Sequence, residues 1–92
     1  LYGFRASLFS LQGRYKEAIE DCNTSIKINF HNAIVYNIRG TAYLALKEYK
    51  KAIEDFDMAI KLDPDNIDKI KEDAIEYKKQ AYEALTEMEG KK

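Results

Sequence analysis

The side chains able to do chemistry in these 92 residues are few, and most recur at fixed distances. Cys22 is the only cysteine and His31 the only histidine, so a histidine-dependent triad, a two-histidine metal motif and a redox pair all lack their parts. Two acidic pairs, Glu20/Asp21 and Glu54/Asp55, carry the groups for general acid–base work. They stand 34 residues apart with similar sequence around them, so they recur because their surroundings recur. No catalytic residue, metal ligand or cofactor is expected, and the chain reads as a non-enzyme. Arg5 precedes Asp21, and Arg39 precedes Asp55, by the same 16 residues. A guanidinium fork grips a carboxylate with two parallel bonds, whether the carboxylate belongs to a ligand or to the chain itself. The repetition of the pairing predicts an internal salt bridge.

The elements that must position these groups emerge when the chain is laid over itself at an offset of 34, with residues 1–32 facing 35–66. Identities fall at 11 of the 32 pairs without a gap, among them Tyr2/Tyr36, Arg5/Arg39, Tyr15/Tyr49, Ala18/Ala52, Asp21/Asp55 and Asn32/Asn66. A period of this length belongs to a solenoid in which each unit is a helix–turn–helix. Within a unit the apolar residues recur at three and four, as in Tyr36, Gly40, Tyr43, Leu44 and in Ala52, Ile53, Phe56, Ala59, Ile60. This predicts helices at about 2–12, 15–28, 33–46, 49–62 and 66–89.

Turn chemistry agrees with that division. Gly13 can take a left-handed conformation between the first two helices, whereas Lys47 holds the same place in the second unit at a greater cost. Asn32 and Asn66 are each placed to cap a helix, and Asp63-Pro64 ends the fourth. Cys22 shares its frame position with Phe56, which makes it a core residue, and His31 falls in a solvated turn. In the last segment Ile67, Ile70, Ala74, Tyr77, Ala81, Leu85 and Met88 form one stripe, while Lys69, Glu72, Asp73, Glu76, Lys79, Glu83 and Glu87 occupy the other face. One helix with an inner and an outer face is what the end of a solenoid needs. The division is therefore one domain over 1–92: unit one 1–32, unit two 33–66 and a capping helix 67–89.

Composition narrows the class of partner. Fifteen basic against sixteen acidic residues leave a net charge of −1, with no basic excess to neutralise a phosphate backbone, so nucleic acid is not expected. No apolar run approaches the roughly 18 to 20 residues that cross a bilayer, and no leader opens the chain, so no membrane is expected either. A lone cysteine leans towards a reducing compartment, and a cytoplasmic location is the expectation. Opening on Leu1 and not Met, the chain is read as a piece of a longer protein.

The residues at each place of the frame resemble the tetratricopeptide repeat family. Tyr36, Gly40, Tyr43, Ala52, Phe56, Ala59 and Pro64 fill its signature places in unit two, with Tyr36 where Trp is commonest. Tyr2, Ala6, Phe9, Ala18, Cys22 and Ser25 do so in unit one, with Phe30 in the Pro place; Ile70, Ala74 and Tyr77 resemble a third first-helix. The resemblance implies an all-α solenoid, a right-handed superhelix of antiparallel helix pairs whose first helices line a concave groove for a peptide or helix of a partner. Its groove places fall on Phe4, Ser7, Ser10 and Leu11 in the first helix. They continue on Ile34, Asn37, Ile38, Thr41 and Leu44, then on Lys71, Ile75, Lys78 and Lys79.

Chaperone-associated members of the family grip an acidic carboxyl terminus with a clamp of Lys, Asn and Arg. The corresponding places here hold Gly3, Ser7, Ile38, Asp68 and Glu72, so the resemblance implies an interaction scaffold without that clamp. The expected partner is a protein segment that is apolar or amphipathic, with Lys71, Lys78 and Lys79 available to an acidic residue. Two alternatives stand beside it. One is self-association as a homodimer through an apolar edge of Leu1, Phe4, Leu8 and Phe9. The other is a non-catalytic accessory role in a larger enzyme or co-chaperone.

Overall fold

The structure, a computed structural model, describes residues 2–29, 31–63 and 69–90, the first three of them as backbone alone. Its five helices are α1 (Tyr2–Leu11), α2 (Tyr15–Ile28), α3 (Ala33–Ala45), α4 (Tyr49–Leu62) and α5 (Ile70–Gly90). The units α1–α2 and α3–α4 are antiparallel pairs, as the period required, and α5 packs along α4. The backbones of α1 and α3 and of α3 and α5 approach closely, whereas those of α2 and α4 do not. The odd-numbered helices therefore line the inside of the curve.

The turns within the two units close by the same bonds. Gly13 at φ 77° donates to Ser10 O and Arg14 to Phe9 O, at 3.1 and 2.8 Å. Lys47 at φ 64° and Glu48 repeat this on Leu44 O and Tyr43 O, at 3.0 and 2.9 Å. Both ends satisfy orphan carbonyls with a left-handed residue, and the lysine takes the conformation that the repeat demands of it. At the start of α3, Asn32 Oδ1 accepts from the amides of Ile34 and Val35 at 3.0 and 3.3 Å, a cap contributing about 1 kcal/mol. The fifth helix departs from its expected start at residue 66. Lys69 lies at φ 60°, which no helix can run through, so α5 begins at Ile70. Asn66, expected as its cap, lies outside the described residues; among them, Asp63 Oδ2 accepts the Lys71 amide at 3.2 Å.

Packing centres on Phe56, which is wholly buried. A Cβ on Gly40 would stand 2.6 to 3.0 Å from three atoms of its ring, so α3 and α4 approach this closely only because residue 40 has no side chain. The ring also stacks on Tyr77 of α5, with centroids 5.7 Å apart. Unit one solves the same problem with smaller pieces, Ala6 and Cys22, both fully buried. Phe9, one of the residues of the expected apolar edge, is half-buried against the core of unit one, and Arg14 lies over its ring at 4.5 Å. Along α5 the stripe lies inward through Ala74, Tyr77, Ala81 and Leu85, and the charged residues lie outward.

Gly40→Ala is therefore expected to cost about 1–2 kcal/mol in chemical denaturation despite alanine's better helix propensity. Placed together with Phe56→Cys, which recreates the unit-one pairing, the same change becomes neutral or stabilising. Additive losses would show that Gly40 is not there for the ring. Deleting residues 67–92 exposes Phe56, Ala59 and Tyr36 at once, and the fragment is expected to aggregate or lose its cooperative melt. A soluble, sharply melting fragment 1–66 would contradict this.

Candidate functional site

The odd-numbered helices carry several apolar side chains with exposed surface, and one partly buried amide. Leu11 on α1 is largely exposed, and Ile34 on α3 and Ile75 on α5 are each about half exposed. Ile38, between them on α3, is partly buried against the core of unit one, and Leu44 is similarly seated on that of unit two. Asn37 carries a buried side-chain oxygen without a hydrogen-bond partner among the described residues. Thr41 turns its hydroxyl back to its own helix, donating to Ile38 O at 2.8 Å. Ser7 and Ser10 are half-buried on α1, and the side chain of Phe4 lies outside the described residues.

The three lysines of α5 do not form a common cationic patch. Lys78 Nζ meets Asp57 Oδ1 at 2.5 Å and lies 5.8 Å from the Tyr82 ring, which ties α5 to α4. Lys71 is half-buried where α5 starts, with its amide on Asp63. Lys79 is exposed and has no ion pair among the described residues.

The repeated arginines are bound inside the fold. Arg5 holds Asp21 with two bonds of 2.6 and 2.8 Å, and Arg39 holds Asp55 with two of 2.8 and 2.7 Å. The surroundings of the two pairs differ. Arg39 lies within 6 Å of the Tyr36 and Tyr43 ring centres and also donates to Asn23 Oδ1 of α2 at 2.8 Å. One guanidinium thus joins α2, α3 and α4. That third bond was missed by sequence reasoning, although Asn23 and Asp57 share a place in the frame and both offer a side-chain oxygen.

Burial separates the pairs electrostatically as well. The hydrogen bonds of Arg5 hold the Asp21 carboxyl below its ordinary range. Burial pushes the Asp55 carboxyl up against the pull of Arg39, whose own pKa is raised by that hydrogen bond. Cys22 is buried among these groups with its thiol pushed up to about 12 by desolvation, so it holds its proton and packs as an apolar residue. Among the described residues no group of three His, Cys, Asp or Glu stands where it could hold a metal.

Family models described as tetratricopeptide repeat match residues 1–32 and again 33–66, the two units just described. The chain belongs to the tetratricopeptide repeat family. No curated protein matches it in sequence. Among solved structures it is similar to the first tetratricopeptide domain of Spaghetti (RPAP3) bound to the HSP90 peptide SRMEEVD, at 27% identity and TM-score 0.79. It is similar also to the first tetratricopeptide domain of human RPAP3, solved by NMR, at 26% identity and TM-score 0.85. The alignments cover 89% and 97% of this chain, but only 61% and 66% of those domains. Within the tetratricopeptide frame, the arginine that marks each unit is a fastener between its two helices.

The two fasteners should not be equal. Arg39→Ala leaves a 5% exposed carboxylate unpaired and is expected to cost about 3 kcal/mol in urea denaturation. Arg5 is 58% exposed but its partner Asp21 only 9%, so Arg5→Ala is expected to cost less than Arg39→Ala, about 1–2 kcal/mol. Equal losses would mean that burial of the second pair contributes nothing.

Proposed function

We propose that this tetratricopeptide module is a protein-interaction scaffold whose inner face takes an apolar or amphipathic segment of a partner, without gripping a terminal carboxylate. The observation that carries this reading is the run of exposed and half-exposed apolar side chains on the odd helices, Leu11, Ile34, Ile38 and Ile75. Such side chains gain by burial against a partner's apolar face, and a helix would present its own at spacings of three and four.

The RPAP3 relative shares this architecture and was solved with an acidic HSP90 peptide. A carboxylate taken out of water needs cations or amide donors within hydrogen-bond reach, or it costs several kcal/mol. At the places that the clamp occupies in chaperone-binding members this chain has Gly3, Ser7, Ile38, Asp68 and Glu72. Neither glycine nor isoleucine has a side-chain donor, and the two acids repel a carboxylate. Lys78 is already held by Asp57, which leaves Lys79 as the exposed lysine beside Ile75. An acidic residue of the partner has its counterpart there.

An amphipathic helical peptide, labelled and titrated with the whole chain, is expected to bind with an affinity unaffected by amidating its carboxyl terminus. Ile38→Asp and the more exposed Ile75→Asp should each weaken it about tenfold, or about 1.4 kcal/mol. SRMEEVD is expected to bind no better with a free terminus than with an amidated one. Micromolar affinity for SRMEEVD that disappears on amidation would overturn the reading.

A further inference from the structure

A second concave place lies away from the groove, on the edge made by the turn inside unit two. Lys47, Glu48, Tyr49, Lys50 and Lys51 face Leu85 and Met88 of α5 across a cavity of about 250 Å³. The apolar part is supplied by Tyr49, Leu85 and Met88, and Met88 is 50% exposed although it continues the inward stripe of α5. The rim is cationic. Lys51 is engaged by Glu48 at 3.2 Å, whereas Lys47 and Lys50 are exposed and make no ion pair among the described residues.

Comparison with unit one sharpens what is particular here. Gly13, Arg14, Tyr15, Lys16 and Glu17 face Leu46 around the corresponding hollow. There Arg14 is closed on Glu17 and stacked over Phe9, which leaves Lys16 as the remaining cation. In unit two, Lys47 replaces the glycine, Glu48 the arginine and Lys51 the glutamate, and Glu48 is taken up by Lys51, which leaves Lys47 and Lys50 as the open cations. Lys47 holds φ 64°, a conformation that favours glycine, so the chain keeps a side-chain cation here against its backbone preference. A chain with a net charge of −1 thus gathers positive charge around an open apolar cavity.

We propose that this cavity binds an acidic segment of a partner protein carrying one apolar anchor residue between carboxylates. The anchor enters between Tyr49, Leu85 and Met88, and the carboxylates meet Lys47 and Lys50. Charge selects the occupant: a basic segment is repelled, and an uncharged one leaves both cations unpaired. The anchor supplies the affinity, because exposed ion pairs alone contribute little.

The test is fluorescence polarisation with the whole chain and the labelled peptide Asp-Glu-Leu-Asp-Glu, blocked at both ends and at low salt. Saturable binding is expected, weakened at least tenfold by the double change Lys47→Glu, Lys50→Glu and by serine in place of the peptide's leucine. Ile75→Asp in the groove should leave it unchanged. Lys47→Gly should weaken the peptide while raising the melting temperature, a combination that a merely structural lysine would not give. The proposal is overturned by absence of saturation at millimolar peptide, by affinity indifferent to the double change, or by loss of binding in Ile75→Asp. A dimer of the chain in sedimentation equilibrium that the double change dissolves would make a second copy the occupant, and would overturn it too.

Discussion

One aromatic ring holds the molecule's layers together. Phe56 occupies space that residue 40 leaves open, and in doing so brings α3 against α4 more closely than any side chain at 40 would permit. The ring also stacks on Tyr77, so it seats α5 as well. The fifth helix contributes fully buried Ala74 and Ala81 to this core, small residues that let its backbone approach α4 closely. The relative placement of α3 and α5 follows, since both pack against α4. Unit one uses Ala6 and Cys22 at the corresponding places, which keeps the helix spacing workable with a smaller residue facing a slightly larger one.

Charge acts inside this frame as a fastener. Arg39 reaches Asp55 within its own unit and Asn23 in the preceding one, with two tyrosine rings beside its guanidinium. Such a group has little freedom to serve a ligand, because withdrawing it leaves a buried acid alone. The Cys22 thiol, surrounded by the same network and protonated at any physiological pH, is equally removed from chemistry. What remains for function is the surface that the fasteners do not use.

Much of this was legible in the sequence because a repeat states each rule twice. The helices, the left-handed Lys47, the Asn32 cap and the Arg–Asp bridges all follow from comparing a residue with its partner 34 places away. Legibility fails where the repeat does. The start of α5 was placed too early because helical periodicity does not reveal the left-handed Lys69. Lys78, expected to be available to a partner's acidic residue, is engaged by Asp57 of α4. One of these is a local backbone conformation and the other a contact between elements, and spacing along one element encodes neither.

The central claim is that the inner face formed by α1, α3 and α5 is the working surface and that its apolar residues do the binding. Chemical-shift mapping of the labelled chain with an amphipathic helical peptide tests it most directly. The account predicts that the perturbed amides and methyls cluster on Ile34, Asn37, Ile38 and Ile75, with α2 and the outer side of α4 silent. Perturbations confined to the outer helices, or centred on Arg5 and Arg39, would contradict it.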